Sequence, residues 1–162
     1  MRSGFGSPCL SCWVIAVREA IYAALWALVD NDPRVQTTFP TRGRYTQHFE
    51  HVSGLVMPAL FLLQKGETWQ QTGRGVPPKR TLRCHFLCYT DTGDATAQLP
   101  STAINTLMDV LDDVIAKPAN GSYVQTLGGL VNHVYIEGEV EEAEGLLQSK
   151  SIFVIPITML IP

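Results

Sequence analysis

The sequence is short of charged residues, which make up 17% of its 162 residues against 46% hydrophobic residues. Few charges leave little to solvate the outside of a domain, so we expect part of its surface to be buried against other subunits. The net charge is −3, whereas proteins that hold DNA through its phosphates normally carry a basic patch. The one local basic cluster, Lys79, Arg80 and Arg83, is more typical of a solubilising patch, so we expect no sequence-specific nucleic-acid binding.

Long apolar runs are also missing. The most hydrophobic stretch, from Cys9 to Val29, is interrupted by Arg18 and Glu19, and a membrane-spanning helix needs roughly 18 consecutive apolar residues. We therefore predict no membrane span. Four cysteines in a chain of this length are too few for a disulfide-stapled secreted protein, which favours a soluble protein from a reducing compartment.

Signatures of catalysis and metal binding are absent as well. Cys84 and Cys88 would lie on one face of a strand with α-carbons roughly 13 Å apart, too far to chelate one ion, so we expect them to be buried hydrophobes. Cys9-x-x-Cys12 lacks a second close pair, and His48 and His51 would point to opposite faces of a strand. No phosphate loop or nucleophile elbow occurs. The sequence predicts a non-enzymatic protein with no catalytic residues, cofactor or metal.

Hydrophobic periodicity predicts one α+β domain over residues 13–162, after a flexible N-terminal tail at 1–12. Helices are predicted at 13–30 and 101–117, the second capped by Ser101, with a polar loop at 34–43. Strands are predicted at 44–52, 57–64, 80–89, 130–140 and 149–161. Pro156 should place the last strand at an edge or a bulge, because proline cannot donate to a ladder. The expected fold is an antiparallel β-sheet of about five strands with two helices packed on one face.

Two regions are candidates for contacts between subunits. The first helix carries a second apolar stripe that includes Tyr22 and Trp26, and a single core usually needs only one stripe. The segment from Lys65 to Lys79 reads as a long loop between two strands, where hairpins usually need only about two to five residues. Its tryptophan, arginine and polar residues suit an interface or the addition of a partner strand. The candidate contact residues in this segment are Thr68, Trp69, Gln70, Gln71, Arg74 and Lys79.

The order of several phrases resembles the tail terminator family of long, non-contractile phage tails, the lambda type. These are REAIYAALWAL at 18–28, TRGRYTQHFEHV at 41–52, PALFLLQKGE at 58–67, TLRCHFLCYT at 81–90, INTLMDVLDDVI at 104–115, QTLGGLVNHVYIEGEVE at 125–141 and IFVIPITMLI at 152–161. The resemblance covers residues 17–162, and its specificity lies in the order of the phrases. Residues 1–12 match nothing in the family pattern.

The resemblance implies a structural virion protein of the phage tail and neck, assembled in the host cytoplasm. Its copies would form a homohexameric ring that ends the tail tube and joins it to the head. The implied partners are the tail tube protein and a head-completion or connector protein, with DNA passing through the ring. The alternative is another head–tail connector, adaptor or tail tube component. We expect the segment from Lys65 to Lys79 to dock on the last ring of tube subunits or on a neighbouring copy. The alternative is a mobile surface loop in which Trp69 folds back on its own domain.

Overall fold

A computed structural model of the protein describes residues 10–44, 54–91, 100–116, 123–144 and 150–161. The fold is α+β, as predicted. The elements are α1 (Leu10–Asp30), α2 (Pro33–Thr38), β1 (Thr41–Gly43), β2 (Ala59–Gln70), β3 (Lys79–Asp91), α3 (Pro100–Leu111) with a π-helical turn (Asp112–Ala116), β4 (His133–Ile136), β5 (Glu141–Glu144) and β6 (Lys150–Ile161).

The strands form one mixed sheet with five positions in the order β1-β2-β3-β6-β4. The fifth position is shared, because β4 pairs with residues 157–160 of β6 and β5 pairs with residues 151–154. Every described pair is antiparallel except β1 with β2, which is parallel. The prediction of a wholly antiparallel sheet is therefore wrong at this edge. Parallel neighbours need a long crossover, and the chain between Gly43 and Ala59 is long enough to supply one.

The strand β6 lies inside the sheet, and the prediction that Pro156 would mark an edge or a bulge is wrong. β6 pairs with β3 without a register shift over twelve residue pairs, with Pro156 opposite His85. The Pro156 carbonyl accepts a hydrogen bond from the Glu137 amide at 3.2 Å, on the side away from β3. The N–H and C=O groups of one strand residue point to the same side. The N–H that Pro156 lacks would therefore also point away from β3, into the gap between β4 and β5.

The helices extend beyond their predicted bounds. α1 begins at Leu10 rather than at residue 13, so the predicted tail includes the first helical turn, and residues 1–9 lie outside the described part. The predicted polar loop at 34–43 contains α2, which Asp32 caps by accepting the Arg34 amide at 2.8 Å, with Pro33 in the first turn. α3 begins at Pro100, so Ser101 lies within the helix rather than capping it. Most of the predicted strand at 44–52 lies outside the described residues.

One large core joins the helices to the sheet. Alternate residues of β2, β3 and β6 are buried in the same cluster as the apolar stripes of α1 and α3. Phe86 at the centre of β3 is fully buried, and its ring centroid lies 6.4 Å from that of Trp26 on α1. Cys84 and Cys88 belong to this cluster and are fully buried, as predicted. Asp109, Asp112 and Asp113 are exposed.

The other face of the sheet carries a smaller apolar cluster at one end. Ala59, Phe61, Leu87 and Tyr89 are buried there, and the rings of Phe61 and Tyr89 meet edge to face at 5.9 Å. The sheet is thus buried on both sides where β2 begins. At its other end the same face carries polar residues such as Arg83 and His85, so that end is the more open one.

A tight turn precedes β4. Leu127, Gly128 and Gly129 all have positive φ, at 51°, 71° and 91°. The Gln125 side chain fixes this turn, because its oxygen accepts the Leu127 amide at 2.9 Å and its nitrogen donates to the Val114 carbonyl at 2.7 Å. Glycine adopts this conformation at little cost, which accounts for the glycine pair at 128–129.

None of the described helices is long and apolar enough to cross a membrane.

Candidate docking surface on the β2–β3 hairpin

The segment predicted as a loop from Lys65 to Lys79 is mostly a β-hairpin. β2 continues to Gln70 and β3 starts at Lys79, so the connecting turn is confined to residues 71–78. The pairing shifts by one residue between Gln64 and Glu67, where Lys65 and Gly66 together stand opposite Arg83. This β-bulge interrupts the alternation of residues between the two faces of β2, and this alternation is the pattern that predicts a strand. The hairpin runs past the end of β6, where Arg80 pairs with Ile161.

Glu67 anchors the hairpin to α1. Its carboxylate accepts a hydrogen bond from Arg18 Nε at 2.6 Å and another from Arg80 Nε at 2.8 Å. The Glu67 side chain is 14% exposed. Partial burial alone would raise the pKa of Glu67, but the hydrogen bonds donated by Arg18 and Arg80 outweigh it and the pKa lies below its usual value. An acid between two guanidinium groups remains charged at neutral pH and ties three elements together.

Trp69 lies next to this ion cluster and is half exposed. It pairs across the ladder with Arg80, whose guanidinium carbon lies 4.4 Å from the centre of the indole ring. This cation–π contact holds the ring against the hairpin. The side chain is nonetheless 54% exposed, so most of the indole remains available to a partner.

The turn between the strands is fixed by a side chain. The Gln71 amide nitrogen donates to the carbonyls of Gly73 and Val76, the latter at 2.9 Å. Gly75 has a φ of 78°, a conformation that a residue with a side chain adopts only with strain. Val76 is 52% exposed at the tip. The turn is thus ordered by its own contacts and presents an apolar side chain to solvent.

The structure divides the candidate contact residues. Trp69 lies on the face that Glu67 and Arg80 share, while Thr68, Gln70 and Lys79 alternate to the other face, and Gln71 and Arg74 lie in the turn. All six are exposed. They form the two sides of one projection rather than a single patch.

The two candidates on α1 lie in the domain core instead. Tyr22 is 5% exposed, and burial raises the pKa of its hydroxyl to about 12. Trp26 is partly buried against the core cluster that contains Phe86. Tyr22 and Trp26 therefore both pack against their own domain, and a contact of this stripe with another subunit stays a prediction. A helix whose two stripes are both buried is packed on two sides, which periodicity alone does not reveal.

In the described ranges, no three His, Cys, Asp or Glu side chains are grouped so that they could hold a metal ion. A shallow cleft of about 360 Å³ separates α1 from the bulge, and Arg18, Tyr22 and Glu67 are among the residues that line it. Among its charged groups, Arg18 and Glu67 are paired with each other and Glu19 is paired with Arg44. The hairpin is the feature most suited to binding, and it would bind a partner through its exposed surface rather than through a pocket.

Comparison with known proteins adds no assignment: no protein-family model matches the chain, and no curated protein matches it.

Proposed function

We propose that this chain is a structural subunit of a ring that closes the head-proximal end of a phage tail tube. The resemblance of its ordered sequence phrases to tail terminators is the origin of the proposal. The observation that supports it best is the β2–β3 hairpin, which projects beyond the end of β6 and carries the half-exposed Trp69. Indole and guanidinium groups are frequent anchors of protein interfaces. Such a projection suits a subunit whose task is to engage other subunits.

The proposed role defines a set of partners. The ring would be homohexameric, with the tail tube protein on one face and a head-completion or connector protein on the other. DNA would pass through its opening without being read. The protein would act in the neck of the virion after assembly in the host cytoplasm. This role requires no catalytic residue, cofactor or metal.

Electron microscopy of the purified protein tests the proposal. We expect closed single rings, either from the protein alone or after it is mixed with the tail tube protein of its own virus. Caps at one end of the tubes, with tube growth arrested, would be the specific result for a terminator. Open stacks of rings would assign the chain to the tube itself. Particles that neither close into rings nor bind tubes would refute the proposal.

A matched variant makes the test specific. Trp69→Ala removes the exposed anchor and leaves the core cluster untouched, because Trp69 contacts Arg80 on the hairpin. Phe86→Ala, in contrast, damages the fully buried centre of the domain. If the hairpin is the working surface, Trp69→Ala should reduce capping or ring formation while the thermal unfolding transition remains close to that of the wild type.

A further inference from the structure

The hairpin is basic although the chain as a whole is acidic. Residues 64–80 contain four basic residues and one acid, in a chain of net charge −3. The acid is Glu67, which is already paired with Arg18 and Arg80. The basic groups not paired with Glu67 are Lys65 at the bulge, and Arg74 and Lys79 at and beside the turn, and all three are exposed. We call Arg74, Val76 and Lys79 the basic tip.

An exposed acidic segment lies at the opposite edge of the sheet. Residues 137–141, which lead from the end of β4 into the first residue of β5, contain Glu137, Glu139 and Glu141, and all three are exposed. Val140 among them is 37% exposed. Gly138 turns the chain here with a φ of 110°. We call residues 137–141 the acidic edge.

These two surfaces cannot neutralise each other within one molecule. Glu141 of β5 pairs with Val154 of β6, and Val154 pairs in turn with Leu87 of β3. Glu141 is therefore level with Leu87, which lies far along β3 from the tip. Lys79 and Leu87 lie about 27 Å apart along β3 at roughly 3.4 Å per residue, and two strand spacings separate β3 from β5. Charges at such a distance are screened at physiological salt, where the Debye length is about 8 Å. Their complementarity can therefore act only between molecules.

We propose that the basic tip of one subunit docks on the acidic edge of a second copy of this chain. The contact would place Val76 against Val140, with Arg74 and Lys79 facing Glu139 and Glu141. An apolar centre with a charged rim is the usual anatomy of an interface. The proposal rests on the proposed function, since it names the contact that would join neighbours in the ring.

The geometry of this contact leads to a ring. The tip and the edge are different surfaces of the same chain, so each subunit uses its tip on one neighbour and offers its edge to the other. Such head-to-tail contacts form closed rings when the rotation between neighbours closes. Acidic residues at a sheet edge also discourage unwanted strand pairing, so the experiment must separate this effect from docking.

Charge reversal provides the test. Three variants are compared with the wild type by sedimentation velocity over a concentration series at low and high salt. They are the tip variant Arg74→Glu/Lys79→Glu, the edge variant Glu139→Lys/Glu141→Lys, and the matched control Asp109→Lys/Asp112→Lys, which changes exposed acids of α3 and its π-helical turn. We expect the tip and edge variants each to raise the dissociation constant at least about tenfold, since like charges would face each other. The control should associate as the wild type does.

Mixing the two variants is the decisive step. In a mixture, the original basic tips meet original acidic edges, and reversed tips meet reversed edges, so every contact of an alternating ring is complementary again. We expect the mixture to assemble although each variant alone does not. An acidic edge that only prevents strand pairing would give no such rescue.

The other outcomes overturn the proposal. If the tip variant alone is defective and mixing does not rescue it, the tip binds another partner such as the tube protein. If both variants form rings as readily as the wild type, the contact is wrong while the proposed function stands. A wild-type protein that remains monomeric at its highest soluble concentration and low salt also refutes the contact. The proposed function then depends separately on tube capping in the microscope.

Discussion

Removal of the last strand tests the architecture most severely. A chain that ends at Lys150 lacks nearly all of β6, which pairs with β3 on one side and with β4 and β5 on the other. Without it the sheet loses its central connection, and β4 and β5 lose the strand on which they pair. We expect this truncated protein not to fold.

The magnitude follows from the inward-facing residues of β6. Five large apolar side chains on this strand are between 0% and 7% exposed: Phe153, Ile155, Ile157, Met159 and Ile161. Burial of each contributes about 1.5–3 kcal/mol, or roughly 8–15 kcal/mol in all. The net stability of a whole domain is only about 5–15 kcal/mol. The loss is therefore about as large as the whole net stability of a typical domain.

The assay is soluble expression followed by thermal unfolding monitored by circular dichroism. Deletion of Pro162 alone is the control and should behave as the wild type. Ile157→Ala is the graded variant and should lower the free energy of unfolding by about 2–5 kcal/mol, because Ile157 is 1% exposed. A soluble protein ending at Lys150 with a sharp unfolding transition would show that β6 does not hold the sheet together.

Three further predictions concern the hairpin, its ion cluster and the thiols. Replacement of residues 71–78 by Asn-Gly should preserve the circular dichroism spectrum, because Gln70 and Lys79 already pair, but phage carrying it should make tails of irregular length or tails that do not join heads; normal infectious particles would contradict the docking role. The pKa of Glu67 is lowered in the fold, so its contribution to stability is present above the ordinary glutamate pKa of about 4.3 and is lost as the pH falls below that value. Glu67→Gln should therefore be less stable than the wild type in urea at pH 7 and should lose less stability on acidification, and parallel curves for the two proteins would refute this. Burial raises the pKa of both Cys84 and Cys88 to about 12, so in a Cys9→Ser/Cys12→Ser background neither should react with a thiol reagent until denaturant is added, and elemental analysis should find no stoichiometric zinc.

The sequence predicted the elements with strong periodicity. The helix stripes and the alternation in β3 gave the correct faces, including the burial of Cys84 and Cys88, because burial on one side imposes these periods directly. Short elements were harder. α2 is only six residues long, too short for a periodic signal, although Asp32-Pro33 is a typical start of a helix.

The errors in the sheet have two physical causes, namely pairing between distant segments and a bulge within the β2–β3 hairpin. Pro156 indicates an edge or a bulge only if both neighbours of β6 are continuous, and the gap between β4 and β5 removes that condition. The hairpin was taken for a loop because Lys65 and Gly66 form a bulge that breaks the alternation. The ion cluster of Arg18, Glu67 and Arg80 depends on the same bulge, so no local sequence pattern predicts it. The basic tip and the acidic edge were not predicted from the sequence, because the argument for their contact depends on the distance between them in the sheet.

The bulge at Lys65 and Gly66 also determines the direction of the hairpin. A bulge bends its strand and increases the local twist, so the outer half of the hairpin points along a different line from the inner half. Gly66 has open space around the position of a β-carbon, so close packing does not require its presence. Deletion of Gly66 would leave Lys65 alone opposite Arg83 and would keep every pair from Glu67 outward on its present face. The hairpin would then present the same side chains in a different direction. A partner that requires only these side chains would still bind the deletion variant, whereas a partner that also requires the direction of the hairpin would not.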